Sequence, residues 1–75
     1  MLNLKNAMKN KKYRVKHINI DNKNMLYRLN AFGIRAGADI QIKQRCMFKG
    51  PCVIEISGQQ VSIRNCDACR IAVED

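Results

Sequence analysis

From residue 38 to residue 45 the chain reads ADIQIKQR, and apolar and polar positions alternate without a break. Ala38, Ile40 and Ile42 share one face; Asp39, Gln41, Lys43 and Arg45 share the other. That period of two predicts a strand with one buried and one wet face, as in an antiparallel sheet. CVIEIS, 52–57, continues the pattern with Ile54 and Ile56 inward. Ser57-Gly58-Gln59-Gln60 reads as a hairpin turn, and Val61 and Ile63 alternate on the returning strand. Upstream, YRVKHINI at 13–20 is rich in β-branched residues and also reads as a strand. Its phase slips, because Val15 and Ile18 cannot share a face of a regular strand, so a bulge or bend is expected near His17. Ile71 and Val73 supply a short last strand.

Between the first two strands the period changes. Met25, Leu29 and Phe32 recur at i, i+4, i+7, with Leu26 beside them, which predicts a helix over 22–32. Asp21 or Asn22 can cap its start by accepting an early backbone N–H. Gly33 falls where a helix end needs positive φ, Ile34 supplies the apolar contact just beyond, and Gly37 allows the tight turn into the next strand. LNLKNAMK, 2–9, fits a single helical turn with Leu4 and Met8 on one side. Met47 to Pro51 reads as a loop, and NCDAC, 65–69, as one 3₁₀ or α turn. The order is strand, helix, three strands, turn, strand. Five short strands of this kind suit an all-β, partly open five-stranded barrel with one inserted short helix, and closure removes edges that would otherwise pair between chains.

Composition narrows this picture. The 75 residues leave room for a single domain, 1–75, whose first 12 residues form a basic segment. Apolar residues make up 47% of the chain, enough for a compact fold; with only Tyr13, Tyr27, Phe32 and Phe48 as aromatics, the core must be aliphatic. No apolar run approaches the roughly 20 residues of a membrane span, nor the signal-peptide core of about 7–15. The expected location is therefore the cytoplasm, with reduced cysteines.

Charge is uneven. The net value is +8, and residues 1–28 carry Lys5, Lys9, Lys11, Lys12, Arg14, Lys16, Lys23 and Arg28 against the single acid Asp21. Such a field attracts acidic protein surfaces, nucleic acid or anionic lipid. Nucleic acid fits poorly, because small barrels that bind it stack bases on aromatics set among basic residues, and here only Tyr13 stands on a basic strand. Catalysis fits poorly too. There is no nucleophile motif, no paired carboxylates at helical spacing and no phosphate-binding glycine loop, and the one histidine, His17, has no acid at ligand spacing.

Arg28-Leu29, Phe32-Gly33-Ile34, Gly37-Ala38, Gly50-Pro51, Gly58 and a strand ending in Arg64 together resemble the FeoA family over roughly residues 13–73. The resemblance implies an SH3-like barrel in a small cytoplasmic protein of ferrous iron uptake, not an enzyme, that acts by contact with the FeoB transporter at its cytoplasmic GTPase region. The basic N-terminal third, Lys5, Lys9, Lys11 and Lys12 with Arg14 and Lys16 outward on the first strand, offers a surface to dock on an acidic one, and the resemblance suggests FeoB as that partner, with Lys12, Arg14 and Lys16 the residues to test. The anionic inner leaflet beside the transporter is a further expected contact. The chain departs from the family at Asn10-Lys11-Lys12, where a glycine is usual, and at Cys66-Asp67-Ala68-Cys69 before the last strand.

The cysteines are the remaining chemistry. Cys46-x5-Cys52-x13-Cys66-x2-Cys69 has the count for a tetrathiolate site holding zinc or iron, although no cofactor is required by the resemblance. In an SH3-like barrel the loop between the second and third strands lies near the turn before the last, so the two pairs can converge. That arrangement would make the chain a metal- or redox-sensing regulatory module, the alternative to a docking protein.

Overall fold

The computed structural model describes residues 2–75. Five strands form one antiparallel sheet: β1 (Lys12–Ile18), β2 (Asp39–Gln44), β3 (Cys52–Ile56), β4 (Gln59–Ile63) and β5 (Ile71–Glu74). Their order across the sheet is β4-β3-β2-β1-β5. Helix α1 (Lys23–Ala31) joins β1 to β2, and the four-residue α2 (Asn65–Ala68) joins β4 to β5. The sheet curls without closing, as expected of a partly open SH3-like barrel, and its inward residues are mainly aliphatic, with Tyr13 and Cys52 among them. Leu4, Val15, Ile34, Ile40, Ile42, Ile54 and Ile71 are almost wholly withdrawn from solvent.

The phase slip in β1 is a bulge. Val15 faces Val73 and His17 faces Ala72, so Lys16 is the extra residue and both Lys16 and His17 turn outward. A second bulge lies at Lys43, between the Ile42–Ile54 and Gln44–Val53 pairs, and bends β2 as it leaves the sheet. The β3–β4 hairpin is tighter than the sequence suggests. Its loop is Ser57-Gly58 alone, both at positive φ, and Gln59 and Gln60 already belong to β4.

Helix α1 begins where Asn22 Oδ1 accepts the Met25 N–H at 3.1 Å. It ends in a Schellman motif: Ile34 N–H reaches the Leu29 carbonyl, Gly33 N–H reaches that of Asn30, and Gly33 sits at φ +88°. Leu29 and Ile34 are both buried, which fixes the joint to the core. The expected apolar stripe is only partly realised. Leu29 is the one fully buried residue of α1, Met25 and Leu26 are half-buried, and Phe32 caps the helix and remains 41% exposed.

The N-terminal segment differs from the single helical turn that its pattern predicts. Leu2 and Leu4 pair with the free edge of β5, through Val73 N–H to the Leu2 carbonyl and Leu4 N–H to that of Ile71. Asn3 Oδ1 then accepts from the amides of Lys5 and Asn6, while Asn6 Oδ1 accepts from Asn3 N–H. These side-chain bonds compete with helical ones and turn the chain. Leu4 and Ala7 become the buried pair, and Met8 points out. The Tyr13 hydroxyl accepts the Met8 N–H at 2.9 Å, tying the segment to β1.

Candidate functional site

Alternation along β1 sends Tyr13 and Val15 into the core and Lys12, Arg14 and Lys16 outward, so the three residues expected to dock a partner are exposed on one side of the sheet. They do not form a purely positive surface. Arg14 stands in register with Asp39 on one side and Glu74 on the other, and its Nε lies 3.3 Å from Asp39 Oδ1. Lys12 and Arg14 line a shallow depression with Tyr13, Asp39, Glu74 and Asp75. Beside it Lys11 Nζ donates to Asp75 Oδ2 at 2.6 Å. That hydrogen bond raises the Lys11 pKa above its ordinary value and holds Asp75 below the usual carboxylate range. Lys16, carried out by the bulge, stands apart from these acids in sequence register. The face is a mixed array of charges, suited to a partner with a patterned surface rather than to a uniform polyanion.

A second concavity, about 110 Å³, lies between α1 and β4 and is lined by Met25, Arg28, Phe32, Val61, Arg64 and Asp67, among others. Arg64 Nε donates to Asp67 Oδ2 at 2.8 Å, which satisfies the nearly buried carboxylate and pushes the Arg64 pKa further up.

The four cysteines are not brought together. Cys46 and Cys52 are joined in a disulfide with Cα atoms 4.5 Å apart, whereas Cys66 and Cys69 are free and exposed. A disulfide sulfur is not a thiolate ligand, and Cys69 Sγ is engaged with the Cys66 carbonyl at 3.3 Å. Among the described residues, no group of three or more His, Cys, Asp or Glu is arranged to hold a metal ion. The residues present do not fit the zinc or iron tetrathiolate that their count suggests. They also differ from the expected all-reduced state, because β2 and β3 set Cys46 and Cys52 side by side. His17 is exposed at the bulge and shares a shallow depression with Asn19, Cys69 and Arg70.

One feature escapes a reading by pattern. The disulfide closes a loop in which Gly50 N–H bonds to the Met47 carbonyl, and both residues of the turn, Phe48 and Lys49, hold positive φ (52° and 64°). Met47 is 62% and Phe48 97% exposed at its tip. The available signal was an aromatic in a Met-Phe-Lys-Gly-Pro loop, outside every apolar stripe.

An open five-stranded antiparallel sheet of this topology, with one connecting helix and a charged outer face, defines a small SH3-like barrel module. The FeoA domain family model matches residues 2–75, and the chain belongs to that family. It is similar to the crystal structure of an iron uptake regulatory protein (FeoA), at 26% identity and a TM-score of 0.83, over 97% of this chain and 93% of that one. The FeoA protein from Chlorobium tepidum in solution shares the fold at 18% identity and a TM-score of 0.86, over 97% and 69% of the two chains. The manganese-activated repressor ScaR contains a similar unit: 26% identity and a TM-score of 0.82 over 99% of this chain but 35% of the repressor. No curated protein matches the sequence. Among the described residues, no helix is long and apolar enough to cross a membrane.

Proposed function

We propose that this protein is a cytoplasmic accessory factor of ferrous iron uptake that acts by docking on the cytoplasmic GTPase region of the FeoB transporter. Family membership indicates involvement in ferrous iron transport, and the FeoA family is one of small accessory domains rather than a known enzyme family. The observation that carries the reading is the family match across residues 2–75. Docking rather than chemistry suits the geometry, because the sheet interior is filled with aliphatic side chains and the polar residues are spread over its outer surface. To alter transport, the module must contact two states of the transporter unequally; equal affinity for both would shift nothing.

The outward face of β1 is the docking surface to test. Lys12, Arg14 and Lys16 are exposed, so reversing all three to Glu leaves the core intact. The expected outcome is loss of FeoB capture in a pull-down, with an unchanged circular dichroism spectrum. Undiminished capture by the folded variant would remove this face from the interface.

A further inference from the structure

The β2–β3 loop presents the most exposed large apolar side chain of the described chain, and it presents it on a rigid base. Phe48 is 97% exposed at the turn and Met47, beside it, 62%. A mobile loop could fold such groups back against the barrel. This one is held away from it by three local constraints: the Cys46–Cys52 disulfide at its base, the Gly50–Met47 backbone bond, and two successive non-glycine residues in the left-handed region. Residues kept in that sparsely populated conformation mark a shape imposed by the surrounding structure, and such strain gathers at contact sites. A preformed tip also loses little conformational entropy when it binds.

Along the loop itself the charges are of one sign. Between Asp39 and Glu55 the chain carries Lys43, Arg45 and Lys49 and no acid. Lys43 leans toward Glu55 at 4.0 Å, while Arg45 and Lys49 form no salt bridge among the described residues. The N-terminal turn adds Lys9, since Asn10 N–H bonds to the Ile42 carbonyl at 2.7 Å and brings the turn alongside β2, whereas Lys11 there is already paired with Asp75.

We propose that the β2–β3 loop is an insertion finger that seats Phe48 and Met47 in the surface of an anionic bilayer, with Arg45 and Lys49 against the phosphate headgroups. Phe48 and Met47 are exposed at the turn, and Arg45 and Lys49 flank them along the chain. A bilayer interface has the complementary order, anionic headgroups above hydrocarbon. A second protein would have to offer an apolar pocket with an acidic rim; the loop's single-sign charge and shallow two-residue tip suit a lipid surface better. Burying one phenyl ring strengthens binding by about tenfold or more. Each cation near an anionic leaflet contributes about fivefold. Together these give attachment that is real and reversible. The inference needs no iron and no transporter, so it stands or falls separately from the docking reading.

Flotation of the full chain with vesicles, with the Cys46–Cys52 pair reduced as well as oxidised, tests it. Equimolar phosphatidylcholine and phosphatidylglycerol vesicles should carry the protein, and pure phosphatidylcholine vesicles should not. Phe48→Asp should weaken binding at least about tenfold without altering the fold, since that side chain packs on almost nothing. Arg45→Gln with Lys49→Gln should weaken it comparably. A Phe48→Trp variant reads insertion directly: its emission should shift to the blue on anionic vesicles and be quenched by brominated acyl chains. Equal flotation of the wild type and Phe48→Asp would overturn the proposal, because adsorption would then be owed to net charge alone. Absence of flotation would overturn it too. So would Phe48→Asp abolishing capture of a protein partner while vesicles bind neither form, because the finger would then serve a protein.

Discussion

Gly33 shows how one residue can carry a joint. Its φ of +88° lies where a Cβ meets the following carbonyl oxygen, so the C′ position of the Schellman motif favours glycine. Space is not the constraint, since a Cβ built there stands 3.6 Å from Ile56 Cδ1, ordinary contact. Gly33→Ala therefore tests conformation alone. It should destabilise the domain by about 1–2 kcal/mol, the cost of holding an L-residue left-handed, read as a lowered midpoint in urea. An unchanged midpoint would mean the helix end relaxes at no cost. This position was legible in the sequence, because glycine followed by an apolar residue after a helical period has a specific physical reading. Ser57 was not: it holds φ 51° in the hairpin loop without being glycine, and so Gln59 and Gln60 were placed in a turn that they do not form.

Among the elements, legibility followed periodicity. The unbroken alternation of β2 and β3 and the slipped phase of β1 each gave the right element, and the slip located the bulge at Lys16–His17. What failed were pieces whose structure depends on distant partners. The segment before β1 has a weak helical pattern, but an unpaired β5 edge offers backbone bonds to Leu2 and Leu4 that an isolated turn cannot match. Leu4 is completely buried as a result. Leu4→Ala should cost about 2–5 kcal/mol, a large share of the roughly 4–11 kcal/mol expected for a domain of this length. A loss below about 0.5 kcal/mol would show that the segment frays from the edge in solution. The disulfide was hidden for a similar reason. Spacing counts thiols but does not say which two the sheet sets side by side, and a reducing location argued against any pairing.

At the scale of the whole molecule, charge and shape point the same way. The surplus of +8 predicted from sequence an electropositive first third, and the fold partly undoes it by registering Arg14 against Asp39 and Glu74 and by pairing Lys11 with Asp75. Net charge is visible in a sequence; its neutralisation across strands is not, because the acids arrive from β2 and β5. What remains is a filled barrel with a patterned charged face on β1 and an apolar finger between β2 and β3. Both are the surfaces proposed above for contact, and membership of the FeoA family indicates involvement in ferrous iron transport. The most direct measurement is uptake of radioactive iron(II) by cells that carry or lack this protein, with manganese(II) uptake as the control. Removing the protein should change the iron(II) rate, and restoring it should reverse that change while manganese(II) uptake stays constant; equal iron(II) rates with and without the protein would contradict the account.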